Sequence, residues 1–147
     1  MTAQIEAEDF DNGADGVAFH NVGKKKHTLY RRTAVELLSS TDDGGGYYVG
    51  STRRGEWLEY SVKVGAAGKY TFQSRVQSVG KGGAFHVEVD GRNVSGRLAI
   101  ANKSAQWQTI SKRNISLTAG KHVVRVVFDS VTAKKSAGNF NWFSFAR

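Results

Sequence analysis

Residues 85–91 are FHVEVDG, and this stretch carries the clearest indication of the fold class. Apolar and polar residues alternate over its first five positions, which predicts a β-strand with one buried face. Asp90 and Gly91 then predict a hairpin turn, because both residue types readily adopt the positive φ of a type I′ turn. A strand that ends in a tight turn favours an antiparallel partner.

The same alternation recurs on both sides of this stretch, and glycine-rich turn signals separate the runs at residues 43–46, 65–68 and 80–83. No window shows a long apolar pattern of period 3.6. We predict strands at residues 3–9, 16–20, 34–39, 46–50, 56–64, 69–78, 84–90, 92–99, 106–117, 121–129 and 138–146. Many short strands without intervening helices predict an antiparallel sandwich or barrel.

The composition fits one folded domain, and we expect residues 1–147 to form it. Without cysteine there is no disulfide, thiol nucleophile or Cys-ligated metal site. No apolar run approaches the ~18 residues of a membrane span, and the N-terminal residues lack the pattern of a secretory signal. The 21 Lys and Arg against 13 Asp and Glu give a net charge of +8, which permits an anionic partner or simply aids solubility.

Catalytic signatures are missing from the sequence. Glu56 and Glu59 are three positions apart on one predicted strand, so they point to opposite faces and do not form a pair. The four histidines lack metal-binding spacing, and no nucleophile elbow, P-loop or dinucleotide fingerprint occurs. We predict no catalytic residues; the competing hypothesis is a small hydrolase with a carboxylate pair in a cleft.

Glu6 and Glu8 share one face of the first predicted strand. Two carboxylates on one face repel each other unless a cation lies between them, and oxygen-rich sites of this kind suit Ca²⁺. The alternative is a solvated strand face with a lysine partner.

Two aromatic residues are candidate binding platforms. Trp107 lies among polar neighbours at the start of a strand, and Tyr30 closely follows the basic run Lys24–Lys26. Flat aromatic faces stack on sugar rings or on bases. The alternative for each ring is that it plugs one end of the sandwich. Lys24–Lys26 is either a solvated loop or part of a polyanion-binding surface.

Eight segments match one known family in the order in which the family carries them. They are residues 5–10 (IEAEDF), 29–31 (LYR), 44–50 (GGGYYVG), 55–60 (GEWLEY), 85–91 (FHVEVDG), 107–109 (WQT), 117–122 (LTAGKH) and 139–143 (NFNWF). With these segments the chain resembles carbohydrate-binding module family 6, the non-catalytic β-sandwich domains attached to secreted polysaccharide-degrading enzymes. The resemblance implies an all-β, jelly-roll-like sandwich of two antiparallel sheets.

The resemblance also implies a ligand cleft in the loops at one end of the sandwich. In this family two aromatic rings enclose a sugar there and an asparagine hydrogen-bonds it. Matched by motif, the rings are Tyr30 and Trp107, and the asparagine is Asn139. His20 stands at a polar cleft position that is often Glu in the family, and this departure bears on the choice of ligand.

A structural Ca²⁺ far from the cleft is a further implication, with Glu6, Glu8 and Asn141 as the motif-matched ligands. Many relatives carry Asp at the last position, so the loss of one charge here predicts a lower metal affinity. Some members bind glycans on a second face, on the concave sheet. Trp57, Glu59 and Gln73 are the candidates for that face here.

We therefore predict a non-catalytic polysaccharide-binding module that targets an attached glycoside hydrolase or lyase to its substrate. The expected ligand is a neutral or acidic plant or algal glycan, with Lys24–Lys26 contacting the anionic groups of an acidic one. We expect an extracellular, monomeric module of a secreted enzyme that binds neither membrane nor nucleic acid. The alternative is a nucleic-acid or other polyanion-binding module that uses Lys24–Lys26.

Overall fold

The computed structural model of the chain describes residues 3–11, 19–20, 36–39, 47–50, 55–78, 83–101, 106–129 and 138–147. Almost all of these residues lie in strands. No α-helix occurs among them. The described residues therefore contain no helix that is long and apolar enough to cross a membrane.

The described residues form twelve strands and one 3₁₀ turn, Ala7–Asp9. The strands are β1 Ala3–Glu6, β2 Phe19–His20, β3 Glu36–Ser39, β4 Tyr47–Gly50, β5 Trp57–Val64, β6 Gly68–Gln77, β7 Gly83–Val89, β8 Arg92–Asn93, β9 Leu98–Ile100, β10 Trp107–Leu117, β11 Gly120–Phe128 and β12 Asn139–Ala146.

The strands form two sheets, and every pairing in them is antiparallel. The first sheet has the order β10-β6-β12-β4-β3, with β1 also paired to β12. The second sheet has the order β2-β5-β11-β7-β8, with β9 also paired to β7. The all-β sandwich of two antiparallel sheets predicted from the sequence is confirmed.

Strands from the two ends of the sequence are neighbours in the first sheet. Ala3 of β1 is opposite Phe145 of β12, and Glu6 at the other end of β1 is opposite Trp142. The pairing therefore brings the predicted segments 3–9 and 138–146 together.

The first strand is shorter than predicted. It ends at Glu6, and the backbone then makes the 3₁₀ turn. The turn lets Ala7 and Phe10, three residues apart, both enter the core, where they are 0% and 3% exposed. The hydroxyl of Tyr60 donates a 2.7 Å hydrogen bond to the carbonyl oxygen of Ala7 and fixes the turn. The prediction that Glu6 and Glu8 share a strand face was therefore wrong.

The predicted strand 92–99 is two short strands, β8 and β9. Between them Gly96 has a φ of +65°, a conformation that breaks a ladder and suits glycine. The side chain of Asn93 accepts a hydrogen bond from the amide of Gly96, and Ser95 Oγ accepts one from the amide of Val87. These side chains take the place of strand partners.

Aromatic rings from both sheets form the core between the sheets. Phe72 of β6 stacks on Phe143 of β12, with ring centroids 5.9 Å apart, and contacts Phe85 of β7 at 6.4 Å. Phe128 of β11 meets Phe140 edge to face at 6.1 Å. Each such pair stabilises a fold by roughly 0.5–1.5 kcal/mol beyond its burial. The sheets are thereby held in a fixed register, and their outer faces are left to carry polar residues.

Candidate functional site

Two of the predicted site residues lie at one end of the first sheet. Trp107 is the first residue of β10, and Asn139 is the first residue of β12. Both are register partners of Gln77, the last residue of β6, which lies between those two strands. Neighbouring strands are ~4.8 Å apart, so Trp107 and Asn139 flank Gln77 on either side. Two residues far apart in sequence thus form one cluster, the Gln77 cluster.

The alternation of β6 explains why this cluster faces outward. Tyr70, Phe72, Ser74 and Val76 are buried, whereas the residues between them are only partly buried. Gln77 continues the outward series, and its register partners share its side of the sheet. The sequence pattern alone did not identify Gln77; the signal for it is its place at the end of the alternating residues of β6.

The ring of Trp107 is partly exposed and lies outside the buried hydrophobic core. Tyr48 packs against it edge to face, with ring centroids 5.5 Å apart and an interplanar angle of 71°. The indole Nε1 of Trp107 is buried and has no hydrogen-bond partner in the described part of the chain. An unsatisfied buried donor costs about 1–3 kcal/mol, which is a cost that residues at binding sites often carry. The position of the ring favours a platform over a core plug.

Asn139 is held by its neighbour in the cluster. Its Nδ2 atom donates a hydrogen bond of 2.8 Å to Oε1 of Gln77. The residue before it, Gly138, has a φ of +136°, and a side chain there would contact Ile100 Cδ1 at 2.8 Å and the carbonyl oxygen of Gln77 at 3.1 Å. The strand can therefore enter the sheet at Asn139 only because residue 138 has no side chain.

The other predicted ligand contacts are not described to the same extent. Tyr30 and the run Lys24–Lys26 lie outside the described residues. His20 is in β2, where its backbone pairs with Trp57 in the second sheet, but its side chain lies outside the described residues. The structure therefore brings together Trp107 and Asn139 of the four predicted residues.

The backbone positions of the predicted calcium ligands lie near one another at the end of β1. Glu6 is the last residue of that strand and Glu8 lies in the 3₁₀ turn, although its side chain is outside the described residues. Asn141 is the extra residue of an irregularity in β12 between Phe140 and Trp142, and Trp142 is opposite Glu6. Asn141 is only 2% exposed. An all-oxygen set of two carboxylates and an amide matches the ligand preference of Ca²⁺.

The outer face of the second sheet carries a network of charged side chains. The guanidinium of Arg125 lies 3.8 Å from the ring centroid of Trp57 and donates a 2.9 Å bond to Oε1 of Glu59. The candidates for a second glycan face do not share one surface, because Gln73 lies on the first sheet, bonded to Ser111. That grouping of Trp57, Glu59 and Gln73 was wrong.

His86 lies on the same outer face, between two carboxylates. Its Nδ1 is 2.6 Å from Oδ2 of Asp129 and its Nε2 is 2.9 Å from Oε2 of Glu88. Burial lowers the pKa of His86, but the hydrogen bonds to the two carboxylates outweigh it and leave the pKa above its ordinary value. Because carboxylates only accept hydrogen bonds, the ring can donate to both of them at once only in its imidazolium form.

Strands β6, β10 and β12, which meet in the Gln77 cluster, contain no Asp or Glu. A two-carboxylate hydrolase mechanism needs both acids across the bound sugar. These strands supply neither acid. Elsewhere among the described residues no group of three His, Asp or Glu side chains could hold a metal ion.

Comparison with known proteins points to a sugar-binding domain, as the sequence motifs do. The family model described as carbohydrate binding module (family 6) matches residues 27–147. A 3-O-α-D-galactosyl-α-L-arabinofuranosidase from Bifidobacterium longum subsp. longum is 28% identical over 138 residues, which cover 84% of this chain and 12% of that protein. The chain spans only 12–18% of the length of the curated relatives it matches.

Solved structures match over the whole chain. A β-1,3-glucan-binding family 6 module from Bacillus halodurans has a TM-score of 0.74 at 24% identity, covering 99% of this chain and 96% of that one. A module of lichenase 5A from Cellvibrio mixtus, in complex with cellotriose, has a TM-score of 0.73 at 26% identity, covering 100% of this chain and 98% of that one.

Proposed function

The chain belongs to carbohydrate-binding module family 6, and from this premise we propose that it holds a sugar residue against the ring of Trp107. Its function is polysaccharide binding. The observation that carries the proposed site is the pairing of Trp107 and Asn139 with the same residue, Gln77, at one end of the first sheet.

The chemistry of the cluster suits a pyranose ring. The apolar C–H face of the sugar packs on the indole of Trp107, and this contact contributes affinity without selecting among sugars. The amide of Asn139 hydrogen-bonds a hydroxyl, and a site with such a polar partner discriminates against sugars that leave the partner unsatisfied. A solvated cleft with few polar anchors gives modest affinity for each site.

We assign Tyr30 as the second ring and His20 as a further polar contact, following the family pattern. Neutral β-glucans are the first ligands to test, because the similar modules bind β-1,3-glucan in one case and were solved with cellotriose in the other.

The test is a series of native gels that contain a soluble β-1,3-glucan or a cellulose derivative. Trp107→Ala removes the platform and is expected to abolish most of the retardation, while the melting temperature stays within a few degrees of the wild type. Trp57→Ala is the matched control, since it removes an outward tryptophan from the other sheet. If Trp57→Ala abolished retardation and Trp107→Ala did not, the sugar would bind on the second sheet.

A structural Ca²⁺ at Glu6, Glu8 and Asn141 is the second part of the proposal. The support is the nearness of their backbone positions at the end of β1 and their all-oxygen chemistry. A bound divalent cation would offset the repulsion between the two carboxylates and join β1 to β12.

We also propose that the module is a monomer that acts within a larger secreted enzyme, outside the cell. The short share of its relatives that the chain spans and the glycosidase among them support the place within a larger enzyme. Anchoring a catalytic domain to an insoluble glycan raises its effective concentration at the substrate. The module itself is proposed to lack catalytic activity. Incubation of the chain with its glycan and measurement of reducing ends tests this, and any release of reducing ends contradicts it.

The alternative of a nucleic-acid-binding module gains no support from these comparisons. Gel retardation by nucleic acid at moderate salt, equal to that by glycan, would restore it.

A further inference from the structure

The outer face of the first sheet is basic along three neighbouring strands. As noted, β6, β10 and β12 contain no acidic residue, whereas β6 contributes Lys69 and Arg75 and β10 contributes Arg113. Arg147 follows the end of β12. Lys69 and Arg75 alternate with the buried residues of β6 and therefore point outward. We refer to the surface that carries Lys69, Arg75, Arg113 and Arg147 as the basic face.

A groove of about 480 Å³ lies within the basic face. Its lining consists of Thr71, Gln73, Ser111, Arg113, Ala146 and Arg147. Two of these residues are arginines, three carry hydroxyl or amide groups, and none is acidic. Such a lining offers hydrogen bonds to sugar hydroxyls and guanidinium groups to anions.

A bulge in β10 positions Arg113 at this groove. The register of β10 with β6 shifts between Lys112 and Ile115, and Asn114 within the bulge has a φ of +64°. Bulges redirect side chains that regular alternation would place elsewhere. Asparagine tolerates positive φ better than most residues do, so the local sequence is compatible with the bulge.

Arg147 is positioned by a glycine on the neighbouring strand. A Cβ atom at Gly68 would lie 3.2 Å from Nε and 3.4 Å from Nη2 of Arg147. The guanidinium therefore occupies the space that a side chain at residue 68 would need. Because residue 68 has no side chain, the charge has room to lie over the start of β6.

Acidic partners of the described side chains are concentrated on the other sheet. The ion pairs His86–Glu88, His86–Asp129 and Arg125–Glu59 all belong to the second sheet or its margin. Among the described residues, Arg113 and Arg147 form no ion pair. Glu6 belongs to the first sheet, but its partner Trp142 lies four positions along β12 from Ala146, a distance of ~13 Å.

The basic face is continuous with the Gln77 cluster. Outward-facing residues of β6 run from Gln77 through Arg75 and Gln73 to Lys69, over a distance of ~27 Å. A polymer bound at Trp107 can therefore continue along the same surface. Guanidinium groups form charge-assisted, bidentate hydrogen bonds with anionic groups such as sulfate and carboxylate, and a neutral sugar has no charged partner to offer them.

We propose that the basic face binds the sulfate or carboxylate groups of an acidic polysaccharide, with Arg113 and Arg147 as the principal contacts. This inference rests on the proposed function, because the same glycan chain reaches the face from Trp107.

The test uses gel retardation by four soluble polymers: dextran sulfate, polygalacturonate, a neutral β-1,3-glucan and duplex DNA. The double variant Arg113→Gln/Arg147→Gln removes two charges from the basic face. The control Lys63→Gln/Lys121→Gln removes two charges from the second sheet, where these lysines are opposite each other. Circular dichroism and melting curves establish that both variants fold.

The arginine variant is expected to bind at least one acidic glycan roughly three- to tenfold more weakly at low salt, with neutral glucan binding unchanged. The lysine control is expected to change less than twofold. The difference between wild type and arginine variant should shrink as salt rises, because exposed charge contacts are screened. Comparing the retardation by dextran sulfate with that by polygalacturonate distinguishes recognition of sulfate groups from recognition of carboxylate groups.

Equal losses in the two double variants would overturn the proposal, since only net charge would then matter. The proposal would also be overturned if neither acidic glycan retarded the wild-type protein. It would be overturned as well if duplex DNA retarded the protein as strongly as the acidic glycans, and with the same dependence on the two arginines. Trp107→Ala separates the two hypotheses. If Trp107→Ala leaves neutral binding intact, the proposed function fails, whereas arginine-dependent retardation by an acidic glycan still supports the basic face.

Discussion

The Nδ2 atom of Asn139 donates a hydrogen bond to Oε1 of Gln77 across the boundary between β12 and β6, at 2.8 Å. The bond uses the carbonyl of Gln77 and fixes the plane of the Asn139 amide. Asn139 therefore presents its Oδ1 in one orientation before a ligand arrives. Because the Asn139 side chain is already ordered, binding a glycan costs less conformational entropy.

Gln77 is accordingly expected to act as a positioning residue. Gln77→Ala should weaken glycan binding by roughly three- to tenfold, the equivalent of about one hydrogen bond, with the fold intact. Gln77→Glu keeps an acceptor for Asn139 Nδ2 and should bind nearly as well as the wild type. Calorimetric titration with a β-glucan oligosaccharide measures both. Equal weakening by the two variants would show that the orientation of Asn139 does not matter.

Gly138→Ala is expected to disturb the same site through the backbone. A methyl group at residue 138 would meet Ile100 Cδ1 at 2.8 Å, and the φ of +136° is unfavourable for alanine. We expect a loss of about 1–3 kcal/mol in the free energy of unfolding, together with weaker glycan binding. Urea denaturation and titration measure the two effects. Gly65→Ala is the control, because nothing lies within 4 Å of its Cβ position. Equal stability of the two variants would contradict the account of Gly138.

Removal of calcium is expected to lower the melting temperature and to leave glycan affinity nearly unchanged below the transition. The proposed ligands Glu6, Glu8 and Asn141 lie at the end of β1, whereas Trp107 and Asn139 flank the end of β6. Ligands that bind only the folded state stabilise it by mass action. Melting curves with EDTA and with added Ca²⁺ provide the measurement. Glu6→Gln should lose most of the calcium-dependent shift in melting temperature. Identical melting curves in EDTA and in Ca²⁺ would contradict the proposed calcium site.

The stability of the domain is expected to depend on pH through His122. Its Nδ1 is 2.6 Å from Oδ2 of Asp90, and its Nε2 is 2.8 Å from the carbonyl oxygen of Thr118. Both partners accept hydrogen bonds, so the ring can donate to both at once only in its imidazolium form. The hydrogen bond to Asp90, followed by that to Thr118, raises the pKa of His122. For Asp90, hydrogen bonds from the Val123 amide and from His122 lower the pKa.

The sign of the pH dependence follows from these two directions. A raised histidine pKa stabilises the fold fully below the ordinary value of 6.5 and less as the pH rises through the folded-state value. A lowered aspartate pKa stabilises it above the ordinary value of 3.8 and less as the pH falls through the folded-state value. Stability from this pair is therefore greatest between those two values. His86, whose pKa is also raised, adds to the loss at higher pH.

Thermal melting between pH 4 and pH 9 measures this dependence. His122→Gln should flatten the decline above neutral pH, and the double variant His86→Gln/His122→Gln should flatten it further. If the melting temperature of the double variant still fell as steeply above neutral pH, titratable groups other than these two histidines would be responsible for the fall.

The sequence predicted the sandwich well because alternation alone distinguishes a half-buried strand from a helix. It failed where the backbone leaves the strand. Ala7 and Phe10 enter the core three residues apart, and no alternation signals that spacing. The break between β8 and β9 depends on a local bond from the Gly96 amide to Asn93 and on a bond from the Val87 amide to Ser95. The second bond forms only once β7 lies alongside.

The candidate site was partly predictable. Trp107 stood out because a large ring occurred among polar neighbours, and the family pattern supplied Asn139. Gln77 could not be found in the same way, because its role depends on pairing with β10 and β12 at once. Gln73 was assigned to the wrong face for a related reason. Alternation tells which residues share a side of one strand, but not which sheet that strand joins.

The pairing of Ala3 with Phe145 has a mechanical consequence. Tension applied before β1 and after β12 would enter the module at one point and pull the two strands apart from that end. The hydrogen bonds between them would then break in succession, as a zip opens, rather than together in shear. The opening would reach Glu6, the proposed calcium ligand, last. A metal bound there would act as a clasp against any pull that an attached domain exerted on the two strands.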